Sequence, residues 1–294
     1  MPVETSVRPR GPYSLALSAR RAHDATRSFR GGVLTALLGD GERAAARQRQ
    51  DGTLALRADS EAGLDRLRFV LGAEDDHAEF LERFADDPLL GRSVRHLRGL
   101  RPLRTSTVVH ALLRALCGQL VDWKRARNVE RRLVRAACPS SDGLFEPPRA
   151  EHFAGFAPVE LQRFGLSARK ATTLVRLCRS LDLERLRSQS TDAVAVRLER
   201  ERGLGPWSVG VICLEGLGRY ERGLVGDLGL IKLCSALEGR WVEAEETAEL
   251  LARYGEWAGL ASVYLLAGAA RGLVPGVVSS EKVRLARSKA RLAA

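Results

Sequence analysis

From residue 107 to residue 270 the chain runs as apolar stretches of helical period, and nearly every one starts at Ser, Thr or Asp or stops at Gly. This punctuation constrains the fold more than any other feature, because it asks for many short helices rather than a few long ones. Residues 107–137 read as one helical period, with Val109, Leu112, Leu113, Leu116, Leu120 and Trp123 on a stripe. Further helices fit 158–165, 168–181, 191–203, 208–218, 227–239, 243–255 and 257–270.

The first ninety residues mix periods. Residues 33–38 and 53–58 read as strands, and Asp51-Gly52 between them is a hairpin signal. Residues 61–72 then read as an amphipathic helix closed by Gly72. The expected class is α+β: a small N-terminal α/β-sheet domain over 1–90, a larger all-α domain over 91–279, and a basic tail over 280–294.

Charge narrows the partners. Forty-seven Lys and Arg against 36 Asp and Glu give the 294-residue chain a net charge of +11, which favours a polyanion, most often nucleic acid. No apolar run reaches the ~18 residues of a membrane span, and the opening residues lack the apolar core of a signal peptide, so a cytoplasmic place is expected. Cys117, Cys138, Cys178, Cys213 and Cys234 form no CxxC pair and sit in apolar helical stretches; buried thiols are expected rather than disulfides or a metal. His23, His77, His96, His110 and His152 have no metal-ligand spacing. No long apolar seam is left over, so a monomer is expected.

One stretch, RGLGPWSVG (202–210), stands apart. Helix, GLG, helix is a helix–hairpin–helix in outline. Small residues let the turn's backbone approach a ligand closely. Pro206 suits the first turn of the second helix, whose amides can hold a phosphate. The plainer reading is that GLGP only ends one helix and starts another. Twenty residues beyond Trp207, Asp227 stands alone before LGLIKL. It can be an N-cap. It can also be a catalytic acid, since a carboxylate at a helix start is well placed to stabilise the oxocarbenium-like state of glycosidic cleavage.

The order GLGPWS then DLGLIKL, with ALCGQLVDWKRA (115–126) upstream and EWAGLASVYLL (256–266) downstream, resembles the helix–hairpin–helix superfamily of DNA glycosylases, and most the bacterial 3-methyladenine DNA glycosylase II family. The resemblance spans about residues 10–270 and is strongest over 108–266. It implies an enzyme of base excision repair that binds double-stranded DNA, flips a damaged, alkylated purine and hydrolyses its N-glycosidic bond. Asp227 matches the family's catalytic aspartate. Trp207 stands where bifunctional members carry a Schiff-base lysine, so a monofunctional enzyme without lyase activity is implied.

The same resemblance places Trp207 and Trp257 in the base pocket and Gly203, Leu204, Gly205, Pro206 and Ser208 in the DNA-binding hairpin. Gln119 and Leu120 match the wedge that fills the gap left by the flipped nucleotide; core packing on the stripe is the competing reading of Leu120. No cofactor is implied. The four-cysteine iron–sulfur loop of some relatives is absent, and a monovalent cation on the main-chain carbonyls of Glu199, Glu201 and Leu204 is the one metal the pattern allows. Val211, Leu228 and Leu260 depart from the family, standing where aromatics are often found. A less aromatic pocket attracts a cationic purine less strongly. Deaminated or oxidised bases, or DNA binding without catalysis, are therefore the alternative expectations.

Overall fold

The computed structural model describes residues 2–20 and 22–277; the basic tail read from the sequence lies outside them. The N-terminal part is a five-stranded antiparallel sheet of β1 (Val3–Val7), β2 (Arg27–Arg30), β3 (Val33–Leu37), β4 (Arg43–Gln48) and β5 (Leu54–Ala58), in the order β1-β5-β4-β3-β2. Alternation makes β5 half-buried: Leu54, Leu56 and Ala58 point to the core while Ala55 and Arg57 point away. The Asp51-Gly52 turn joins β4 to β5. Asp51 Oδ1 accepts from Thr53 N at 3.0 Å and Thr53 Oγ1 at 2.7 Å, and Gly52 takes φ +85°. The short helix α1 (Leu15–Ala19) and α2 (Glu61–Leu71) cover the core face. Ser60 caps the start of α2 through Gly63 N, and Gly72 closes its end at φ +60°.

The rest is helical: α3 (Ala78–Arg83), α4 (Gly91–His96), α5 (Val108–Gly118), α6 (Trp123–Ala137), α7 (Ala150–Ala154), α8 (Pro158–Gln162), α9 (Ala168–Ser180), α10 (Thr191–Glu199), α11 (Pro206–Val211), α12 (Leu228–Glu238), α13 (Glu246–Ala252) and α14 (Ala258–Ala269), with one two-stranded ribbon at 140–145. A second core takes in Ala25 and residues from Phe80 to Val274 and is centred on α5, whose residues 108–117 are all buried. All five cysteines are buried free thiols. Burial pushes Cys138, Cys178 and Cys213 up to about 12, which leaves them protonated and inert.

Two sequence readings need correction. Residues 107–137 are not one helix. Gln119 leaves the helix with ψ 121°, Leu120 takes φ +57°, and Asp122 caps a new helix by accepting from Lys124 N and Arg125 N at 3.0 and 3.1 Å. Periodicity cannot register a break whose two flanking helices stay nearly in phase. Nor is 208–218 one regular helix. It starts at Pro206 and widens at Ile212 into a π-helix running to Leu217, closed by Gly218 at φ +69°.

The sheet is fastened to the helices by buried charge. Arg114 on α5 holds Asp24 at 2.8 Å, Glu130 on α6 at 2.9 Å, and Glu215 of the π-helix at 2.5 Å. Arg27 adds a bond to the Arg104 carbonyl at 2.6 Å. Burial opposes ionisation of Asp24, but Arg27 and Arg114 outweigh it and hold its carboxyl at about 2. The guanidinium of Arg114 fills the centre of the cluster that Asp24, His110 and Glu130 form, so the pull of a metal on these three is already supplied by a cation of the chain.

Candidate active site

The hairpin is the six-residue turn between α10 and α11. Gly203 sits at φ +100°, and a Cβ there would strike the Thr173 hydroxyl, so only glycine fits. The turn's carbonyls point inward: Arg202 O accepts from Thr173 Oγ1 and Arg176 Nη2, and Gly203 O accepts from Gln119 Nε2 at 2.8 Å. Gly205 offers no side-chain cap to α11 and Pro206 occupies its first turn. The first-turn amides of Trp207 and Ser208 therefore have no acceptor within their helix. Leu204 is buried, and the Ser208 hydroxyl turns inside to accept from Gln119 at 2.9 Å. Of the five residues expected at this interface, Gly203, Gly205 and Pro206 present backbone, while the side chains of Leu204 and Ser208 belong to the interior.

Asp227 is the N-cap of α12. Its Oδ1 accepts from Gly229 N at 2.7 Å and Leu230 N at 3.4 Å, and its Oδ2 accepts from Trp207 Nε1 at 3.0 Å. Capping and chemistry are thus not competing readings. One oxygen is spent on the helix start, and the other is aimed by an indole. Trp207 is itself fixed, because its ring lies against Gly118 at the end of α5, where a Cβ would stand 2.5 Å from Cη2. The half-buried carboxylate, oriented by three N–H donors, is preorganised in the way that suits stabilisation of a developing cation.

Leu120 is 100% exposed. Core packing, its competing reading, does not hold, because the break at 119–122 lifts it off the stripe that Val109, Leu113 and Leu116 keep inside. Gln119 does not share its position. Its side chain bonds to the hairpin as above, and its carbonyl accepts from Lys170 Nζ at 2.6 Å. It ties the tip to the hairpin, so Leu120 projects from a clamped turn. Neither Lys170 nor the inward role of Gln119 has a sequence signal; both follow from the packing of α9 beside α5.

Trp257 is placed elsewhere. It precedes α14 and packs in an aromatic group, stacked on Tyr220 at 6.2 Å and tilted against Phe80 at 5.8 Å. The α14 residue that meets the α12 start is Leu266, 2.5 Å from where a Cβ of Gly229 would lie, about 13 Å further along the helix axis. Of the three positions that depart from the family, Leu260 and Val211 are buried and Leu228 is 41% exposed. A cleft of about 290 Å³ opens between Leu214, Leu224 and Leu266, walled by Arg27, Arg114 and Glu215, and neither Asp227 nor Trp207 lines it. A larger hollow of about 780 Å³ on the sheet, around Ser28, Thr35, Arg43 and Arg57, includes none of these site residues.

No protein-family model matches the chain. It is 24% identical to a DNA-3-methyladenine glycosylase of Bacillus subtilis over 203 residues, 65% of this chain and 67% of the relative. Its fold matches a 3-methyladenine DNA glycosylase from Archaeoglobus fulgidus with TM-score 0.74 at 21% identity, covering 91% of this chain and 98% of the other. It also matches a Clostridium acetobutylicum 8-oxoguanine glycosylase/lyase in complex with DNA, with TM-score 0.76 at 16% identity over 93% and 99% of the two chains. Sequence similarity and fold agree with the resemblance carried by the motifs: the chain is similar in sequence to a DNA-3-methyladenine glycosylase and shares its fold with solved DNA glycosylases.

Proposed function

We propose that this protein is a monofunctional DNA glycosylase that releases damaged, alkylated purines and leaves an abasic site. The observation that carries the reading is the Trp207–Asp227 hydrogen bond, which sets an aimed carboxylate behind a hairpin suited to gripping DNA. The 3-methyladenine glycosylase relative and the basic net charge support the substrate class and the partner.

In this reading the amides at the start of α11 hold a phosphate of the damaged strand, and Leu120 enters the stack as the lesion leaves it. The bond between C1′ and the base nitrogen then breaks, and its electron pair departs with the base. The sugar becomes oxocarbenium-like, and Asp227 stabilises that charge. Water adds to C1′ and gives up its proton to the carboxylate or to solvent. Trp207 has no amine, so no imine forms at that position and the DNA strand is left unbroken. The carbonyls of Glu199, Glu201 and Leu204 remain the place for a monovalent cation. Glu201 turns its carboxylate away to Arg176, at 2.5 Å, and its carbonyl accepts from Leu204 N at 3.0 Å with a second lone pair to spare.

Strand breakage tests the monofunctional part. Duplex DNA carrying 7-methylguanine, incubated with the protein, is expected to break only after alkali. Breaks formed without alkali, trapped by borohydride as a protein–DNA adduct, would show a lyase.

A further inference from the structure

The tip that carries Leu120 holds a second large apolar side chain. Trp123, the first residue of α6, is 57% exposed. Two exposed apolar side chains three residues apart on one turn mark an interaction surface rather than chance exposure. The backbone between them is held at both ends. Asp122 caps α6, and Gln119 is tied to the hairpin and to Lys170. Little ordering is left to be done on binding. Exposed Lys124 and Arg125 follow directly, so the surface suits a polyanion with apolar faces, which describes opened duplex DNA.

We propose that Trp123 stacks on the base of the undamaged strand that loses its partner when the lesion is flipped. The inference rests on the glycosylase reading above. Leu120 fills a hole one base wide in the damaged strand. Three residues of chain span at most about 10 Å, more than one base step, so a base of the facing strand lies within the compass of the same tip. A base without its partner is less firmly held in the stack. An indole face accepts any such base, purine or pyrimidine, because every base has a π-face. Leucine can wedge but cannot stack, and the two side chains divide these tasks.

The test uses a duplex with a tetrahydrofuran abasic analogue opposite 2-aminopurine, whose fluorescence falls on stacking. The wild-type chain is expected to bind it more tightly than intact duplex and to quench the probe. Trp123→Ala is expected to lose about tenfold in that preference and to leave the probe bright, and Trp123→Phe to restore most of both. Trp123→Ala quenching and binding like the wild type would overturn this proposal alone. A wild-type chain that binds abasic and intact duplexes equally would overturn the glycosylase reading with it.

Discussion

The indole Nε1 of Trp207 donates to Asp227 Oδ2 at 3.0 Å, joining two helix starts twenty residues apart. The tryptophan thus orients the carboxylate. A hydrogen bond to a charged group contributes about 1.5–3 kcal/mol. Trp207→Phe keeps an aromatic ring against Gly118 but loses the donor. Base release by this variant is expected to slow about 10- to 100-fold with DNA affinity nearly unchanged. Equal rates for the two proteins in single-turnover assays would separate the indole from the chemistry.

Leu116 and Leu120 share a helical stripe in the sequence and opposite fates in the fold: Leu116 is 0% exposed and Leu120 100%. Leu116→Ala is expected to cost about 2–5 kcal/mol of stability, the toll of a core cavity. Leu120→Ala should stay within about 0.5 kcal/mol of the wild type yet slow base release from duplex DNA, and slow it much less on single strands, where no stack needs holding open. Denaturant melts beside the two substrates would separate these outcomes.

His77 is buried against Tyr220, with ring centroids 4.8 Å apart, and neither ring nitrogen has a hydrogen-bond partner. Burial, helped by Arg101, pushes its pKa down to about 4. The unfolded chain takes up this proton near 6.5 while the folded one does not. The stability involved is complete above about pH 6.5 and is lost as pH falls from there toward 4, at about 1.4 kcal/mol per pH unit. Melting temperatures between pH 7 and 5 should fall more steeply for the wild type than for His77→Phe. Parallel slopes would show that His77 is not the group being titrated.

Much of this was legible before the fold was known. Gly72, Gly218 and Gly239 each end a helix in the left-handed conformation, as their places after apolar periods suggest. The hairpin and the helix start at Asp227 are legible because turn chemistry and isolated charge are local signals. The break before Asp122 is not, although Gly118, Gln119 and the capping residue Asp122 lie within five positions to mark it. Leu120 needed that break to be seen as exposed. Trp257 was placed by its position in a motif, whereas its neighbours His77 and Phe80 come from about 180 residues earlier. Strands β1 and β2 carry no clear strand period in the sequence, because Glu4 interrupts the first and Arg27 and Arg30 bracket the second.

Asp227 is proposed to drive base release, and Asp227→Asn removes its charge while keeping its shape. Asparagine is also a good N-cap, so α12 should still start at the same place and DNA should still bind. Excision of 3-methyladenine and 7-methylguanine from duplex DNA is expected from the wild type and to fall by about 100-fold or more in the variant. Release at the wild-type rate by Asp227→Asn would take the chemistry away from Asp227, and no release of either base by the wild type would overturn the glycosylase reading.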